Sequence, residues 1–149
     1  MAADVDVVVA GAGGAGLAAA LAAAMRGASV ALVERHELFA QGNNTSMSTA
    51  MIPAAGSRWQ REAGIPDSPE TFLTDVQRKT KGTADKVISR ALVEVAPRLV
   101  EWLNDDCGIK LSLATEFVYP GHSYPRCHTV SDRAGRTHCE HDAAGRLIR

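Results

Sequence analysis

The sequence predicts an α/β fold that opens on a strand, helix, strand unit with a parallel strand pair, and three stretches carry the expectation. Residues 5–10 (VDVVVA) are a β-branched run ending at a glycine, which reads as a parallel strand buried on both faces. Residues 14–26 (GAGLAAALAAAMR) are alanine-rich and helix-favouring, with small side chains for close packing on a sheet and Gly27 as a stop. Residues 29–34 (SVALVE) return to a short apolar run, the second strand.

Beyond residue 34 the pattern changes. Residues 41–50 (QGNNTSMSTA) are small and polar without helical or strand periodicity, as in a functional loop. Amphipathic helical spacing returns at 57–63, 68–79 and 85–105, and Pro97 is expected to kink the last of these. Residues 109–113 alternate like a strand, and residues 119–149 are polar, histidine-rich and poorly patterned. Trp59 and Trp102 read as core residues.

A chain of 149 residues and 15.8 kDa has room for one ordinary domain or part of a larger one. Hydrophobic residues at 46% and charged residues at 22% suit a collapsed core rather than disorder. Lys and Arg (16) nearly balance Asp and Glu (17), which gives no electrostatic ground for expecting nucleic acid or an anionic membrane as partner. The apolar start is interrupted by Gly11, Gly13, Gly14 and Gly16 and preceded by Asp4 and Asp6, so neither a signal peptide nor a membrane span is expected. Cys107, Cys127 and Cys139 make no CxxC pair, which points to a reducing, cytoplasmic setting.

Gly11, Gly13 and Gly16 spell G-x-G-x-x-G between strand and helix, and Glu34 ends the next strand 18 residues further on. That is the context of a Rossmann-like dinucleotide site. The first glycine permits the turn, the second lets a pyrophosphate approach bare backbone, and the third lets helix and strand pack closely; the helix N-terminus favours the anion. Glu34 would accept hydrogen bonds from an adenosine ribose and oppose a 2′-phosphate, although neighbouring Arg35 tempers that opposition. A crossover helix normally follows in NAD-type folds. Here Gly42, Asn43, Asn44, Thr45, Ser46 and Ser48 offer amides and short polar side chains to an extended cofactor, which favours FAD.

The segments AGAGGAGLAAALAA, VALVER, GNNTSMSTAMIPAAGSRWQREAGIPDSPETF and YPGHSYPRCHTVSDRAGRT resemble the amino-terminal part of the fumarate reductase and succinate dehydrogenase flavoprotein family. That family includes flavocytochrome-type reductases and 3-ketosteroid dehydrogenases. The resemblance implies a partial FAD-binding domain over residues 1–136, with residues 137–149 an atypical tail where the family has an apolar helix. Together with the glycine motif it gives a cofactor-binding set of Gly11, Gly13, Gly14, Ala15, Gly16, Glu34, Arg35, Asn44, Thr45 and Ser46. Asn44 stands where membrane-complex members carry the histidine bonded to flavin, so non-covalent FAD is implied. Ala50 and Met51 stand where many relatives have paired glycines beside the flavin ring.

His122, Arg126 and His128, with Arg133, are candidates for a substrate-side anion site, because Arg offers a planar fork to a carboxylate and His exchanges protons near neutrality. A polar surface loop is the plainer reading of the same residues. Cys127, His128, His138, Cys139 and His141 have zinc-ligating side chains, but their spacing matches no common finger and no metal is expected.

Family members run to several hundred residues, with a cap domain supplying catalytic Arg and His. The resemblance therefore implies part of an FAD-dependent oxidoreductase that, when whole, transfers hydride between flavin N5 and a substrate C–C bond. Its substrate would be a small dicarboxylate, a steroid or another activated alkene, with an electron-transfer partner. An NAD-linked dehydrogenase fragment, or a nucleotide-binding module or remnant without turnover, remain the alternatives.

Overall fold

The computed structural model describes residues 4–39 and 43–131. The chain divides into two compact units at Ala50–Met51.

The first unit holds β1 (Val7–Ala10), α1 (Gly14–Ala24) and β2 (Val30–Val33). β1 and β2 pair in parallel from Val7↔Val30 to Ala10↔Val33, the arrangement expected of a strand, helix, strand unit. Gly27, at φ +87, turns the chain out of α1. Asp6 fixes the start of β1: its carboxylate accepts from the Ser29 amide at 2.8 Å and from the Ser29 hydroxyl at 2.6 Å. Leu17 and Ala12 form the core of this unit, with Leu32 and Phe39 packed against them.

The expectation that β1 is buried on both faces is corrected. Its residues alternate between half-buried and exposed, with Val8 64% exposed and Val33 on the partner strand 52% exposed. Within this unit α1 covers one face, and the described residues of the unit form no second helix.

The second unit, Met51–Asp132, holds β3 (Ile52–Pro53), α2 (Arg58–Glu62), α3 (Pro69–Lys79), α4 (Lys86–Asp105), β4 (Ser112–Leu113) and β5 (Cys127–Thr129). The three strands form an antiparallel sheet in the order β3-β5-β4. Each helix begins on a side-chain cap, which is why the sequence places their starts closely. Ser57 accepts from the Gln60 amide, Ser68 from the Thr71 amide ahead of Pro69, and Asp85 from the Val87 and Ile88 amides. α4 runs through Pro97 as one helix. The apolar core gathers Ala55, Phe72 and Val93.

Among the described residues of this unit, the charged side chains of Arg126, Asp67 and Asp75 are buried. Arg126 is fully buried and donates from Nε and Nη2 to the two oxygens of Asp67 at 2.8 and 2.9 Å. Its Nη1 lies 2.9 Å from Asp75 Oδ2, an ion pair without hydrogen-bond alignment. The guanidinium also stacks 4.5 Å from the Phe72 ring centre. Asp75 accepts from the amide and hydroxyl of Ser123, both at 2.7 Å. Burial pushes the Asp75 carboxyl up, but the Ser123 and Arg126 contacts outweigh it and hold the group below its ordinary value. The segment ahead of β5 is thereby laced to α3.

His128 is buried on β5 in a self-consistent chain of hydrogen bonds. Nδ1 faces the Ile52 carbonyl at 3.3 Å and Nε2 lies 2.8 Å from Ser57 Oγ, which also accepts from the Gln60 amide at 3.3 Å. The tautomer that satisfies every group puts the proton on Nδ1, so that the Ser57 hydroxyl donates to Nε2. Burial lowers the affinity of His128 for a second proton, and burial followed by the charge of Arg126 does the same at His122.

Both imidazoles are thus held below their ordinary value in the folded chain, so the unfolded chain takes up protons first as pH falls. Stability should be full above about pH 6.5 and decline below it until the folded imidazoles titrate, by at most about 1.4 kcal/mol per pH unit for each proton. Urea midpoints between pH 8 and 5 check this, and His128→Gln should flatten the decline. The uncovered sheet face predicts that Val8→Thr with Val33→Thr changes stability by no more than about 0.5 kcal/mol. The same pair should lower binding of an apolar dye, read by fluorescence.

Candidate functional site

The glycine turn joins the carboxyl end of β1 to α1, where a parallel sheet presents its ligand crevice. Gly11 has φ +99, a conformation that costs glycine little, and its amide donates to the Val33 carbonyl at 2.8 Å, joining the turn to β2. Gly16 faces the Gly11 carbonyl so closely that a Cβ there would sit 1.9 Å from that oxygen. A side chain at Gly16 is excluded by backbone. Gly13 caps α1 in an extended conformation with no side-chain partner, so the first amides of α1 are left for an acceptor from outside the helix.

One of those amides is already engaged: Gly14 donates to Thr45 Oγ1 at 2.9 Å. The Thr45 hydroxyl keeps its own proton to donate. Thr45 is brought there by a compact turn in which Asn43 Oδ1 accepts from the Ser46 amide at 2.9 Å and the Asn43 carbonyl accepts from the Met47 amide at 3.0 Å. Asn44 is exposed at the crest of this turn, whereas Ser46 donates to the Asn43 carbonyl at 3.0 Å.

Glu34 follows β2 directly. Oε2 accepts from the Ala12 amide at 2.8 Å and Oε1 from the His36 amide at 2.9 Å, and these two backbone donors hold the carboxyl below its usual range. Each carboxylate oxygen retains a lone pair for a further donor. Ala10, Gly11, Val33, Glu34 and Arg35 line an open groove of about 480 Å³ at these strand ends.

Gly11, Gly13, Gly14, Ala15, Gly16, Glu34, Arg35 and Thr45 therefore converge on the carboxyl end of the parallel pair. The Ala12 amide, held by Glu34, is the contact that motif reading missed; the signal was present in the acid's position after the second strand. Ala50 is buried at φ +52, a left-handed conformation that favours glycine, at the position where the resemblance places a glycine pair.

His122, Arg126 and His128 lie in the second unit. Arg126 and His128 are fully buried, with their polar atoms engaged by Asp67, Asp75, Ser57 and Ile52 as described above. His122 is half-buried between Phe72 and Tyr119, and its Nδ1 meets no hydrogen-bond partner. Arg133, His138, Cys139 and His141 fall outside the described residues. Among the described residues no three His, Cys, Asp or Glu side chains come together in a way that could hold a metal ion. No helix there is long and apolar enough to cross a membrane.

A family model described as FAD binding domain matches residues 6–146. The chain is 42% identical over 127 residues to the NADH:fumarate oxidoreductase of Klebsiella pneumoniae, covering 85% of this chain and 13% of that protein. It is 37% identical over 123 residues to the urocanate reductase of Eggerthella lenta, covering 83% of this chain and 20% of the relative. In three dimensions it resembles the open conformation of a flavocytochrome c3 fumarate reductase, with TM-score 0.81 and 28% identity over 94% of this chain and 24% of the other. A 3-ketosteroid dehydrogenase from Rhodococcus jostii gives TM-score 0.74 at 25% identity, over 94% of this chain and 35% of that one. This chain spans a small part of the length of these relatives. With its glycine turn, helix N-terminus and acidic strand end matched over nearly its whole length, the chain belongs to the FAD binding domain family, and FAD is its cofactor.

Proposed function

We propose that this chain supplies the pyrophosphate- and adenosine-holding part of an FAD-dependent oxidoreductase that acts on a C–C bond of an activated alkene. The observation that carries the proposal is the approach of Gly16 to the Gly11 carbonyl, with the α1 amides left open beside it. Such a cradle fits a dinucleotide: bare backbone at Gly13, a helix N-terminus for the phosphates, and a carboxylate at the groove for ribose hydroxyls. Thr45 accepts from Gly14 and would donate its hydroxyl proton to a phosphate oxygen. Bound FAD supplies hydride exchange at flavin N5. The residues of this chain orient and retain it, and Glu34 sets the preference for an unphosphorylated ribose.

Fumarate and urocanate, named in the relatives above, both present an alkene conjugated to a carboxylate, and a steroid relative extends the class to conjugated ketones. An alkene polarised by a carbonyl group is therefore the substrate class we favour, with a redox partner to exchange electrons with the flavin. The FAD family match leaves the NAD-linked alternative without support. Asn44, whose carboxamide has no imidazole to link to flavin, supports non-covalent binding. A cytoplasmic setting rests on the cysteine pattern alone.

Gly16→Ala should abolish FAD binding in equilibrium dialysis, since the added carbon must push backbone apart. Glu34→Ala should weaken FAD roughly tenfold, the size of a charged hydrogen bond, and should narrow the gap to NADP. Circular dichroism verifies that each variant folds. Unchanged FAD affinity in both folded variants would remove the glycine turn from the site.

Acid precipitation of the FAD-loaded chain should release all flavin to the supernatant. Yellow colour retained in the washed pellet would sink the non-covalent assignment.

A further inference from the structure

The corner between α3 and α4 concentrates positive charge on a chain whose formal net charge is -1. Arg78, Lys79, Lys81, Lys86 and Arg90 are all exposed there. The carboxylates near the corner are already committed: Asp75 to Ser123, Arg126 and Arg78, Asp85 to the Val87 and Ile88 amides, and Glu94 and Glu70 to Arg90 at 3.7 and 4.0 Å. Among the described residues Lys79, Lys81 and Lys86 take part in no ion pair.

Lys79, in the last turn of α3, complements the helix dipole and needs no further explanation. The other two lysines run against local preference. Lys81 has φ +54, and its amide donates to the Arg78 carbonyl at 3.2 Å while the Gly82 amide donates to the Gln77 carbonyl at 2.8 Å. These are the paired bonds that close a helix through a left-handed residue, a position where glycine is favoured. Lys86 is the first residue of α4, at the positive end of the helix dipole, where an acid is favoured. Each of these two lysines opposes the local physics in the direction that adds positive charge.

A groove of about 530 Å³ opens beside this corner between α3 and α4, lined by Leu73, Val87 and Ala91 together with Lys86 and the Arg90–Glu94 ion pair, which leaves Lys86 as its unpaired cation. Gln77 joins the two features, because its carbonyl takes the Gly82 amide and the residue also lines the groove.

We propose that this corner docks an acidic protein segment, whose carboxylates meet Lys79, Lys81 and Lys86 while one of its apolar side chains enters the groove. The charge is compact and carried by lysines, and it offers few of the phosphate-matching arginine forks that a nucleic acid uses. Of the five basic residues, Arg78 and Arg90 are already neutralised by carboxylates, and the three lysines left carry less free charge than a lipid-binding patch of four to eight basic residues.

The test measures fluorescence anisotropy of a labelled synthetic peptide, with four glutamates around one leucine, against the full 149-residue chain. Binding should appear at about 20 mM salt and weaken at about 150 mM. Lys79→Glu, Lys81→Glu and Lys86→Glu together should weaken it about tenfold, the sum of three exposed charge pairs, while Lys110→Glu leaves it unchanged. Lys81→Gly should raise the thermal midpoint and still weaken binding, which a lysine of purely structural role would not do. The proposal is overturned if the peptide does not bind, if the triple variant binds as well as the wild type, or if Lys81→Gly is more stable with unchanged binding. Tighter binding of duplex DNA or phosphatidylserine vesicles than of the peptide would overturn it equally.

Discussion

The first unit depends on one close approach, the α carbon of Gly16 against the carbonyl of Gly11. It sets how soon after β1 the helix can begin, and hence where its first amides point. Everything else at that end follows from it. Leu17, one residue on, is directed into the core against Leu32 and Phe39. Gly14 is left with an amide that the Thr45 hydroxyl accepts, and Ala12 with an amide that Glu34 accepts. The packing contact and the direction of these amides arise together, because both exist only while the turn stays tight.

The second unit is built on the opposite principle. Beside an apolar core that includes Val93, Val100, Ile109 and Leu111, buried polar groups with complementary partners fix how its pieces meet. Arg126 gathers two carboxylates from separate positions, Gln60 donates to Asp67 and to the Pro125 carbonyl, and Ser57 serves both as helix cap and as partner of His128. Such groups are directional, so they specify one arrangement where apolar contacts would tolerate several. Residues that look, in sequence, like exposed candidates for chemistry are here turned inward.

That contrast explains how much was legible beforehand. The strand, helix, strand opening is local: β-branched runs, alanines and glycines each state their preference within a few residues. The helix starts were equally local, because Ser57, Ser68-Pro69 and Asp85 are caps. β5 was hidden because Cys127, His128 and Thr129 carry no alternating pattern; they are strand residues by virtue of what surrounds them. The division at Ala50–Met51 had no compositional mark. The role of Glu34 was half legible: its position announced a ribose partner, while its grip on Ala12 depended on a turn geometry that no spacing rule contains. Val8 shows the converse limit, since an apolar strand residue reveals its preference for burial but not whether anything covers it.

The triad of Arg126, Asp67 and Asp75 also constrains how this sequence can drift. Removing Arg126 leaves two buried carboxylates without their shared cation, at a cost of about 3–5 kcal/mol, a large part of the stability of an ordinary domain. Replacing all three by apolar side chains of matching volume is often neutral or favourable. Two viable solutions are therefore separated by less stable intermediates, and a lineage leaves the charged one most readily by changing several distant codons together. Residues 67, 75 and 126 should behave across descendants as a single inherited character, kept by the depth of the valley around it rather than by any contact with a ligand.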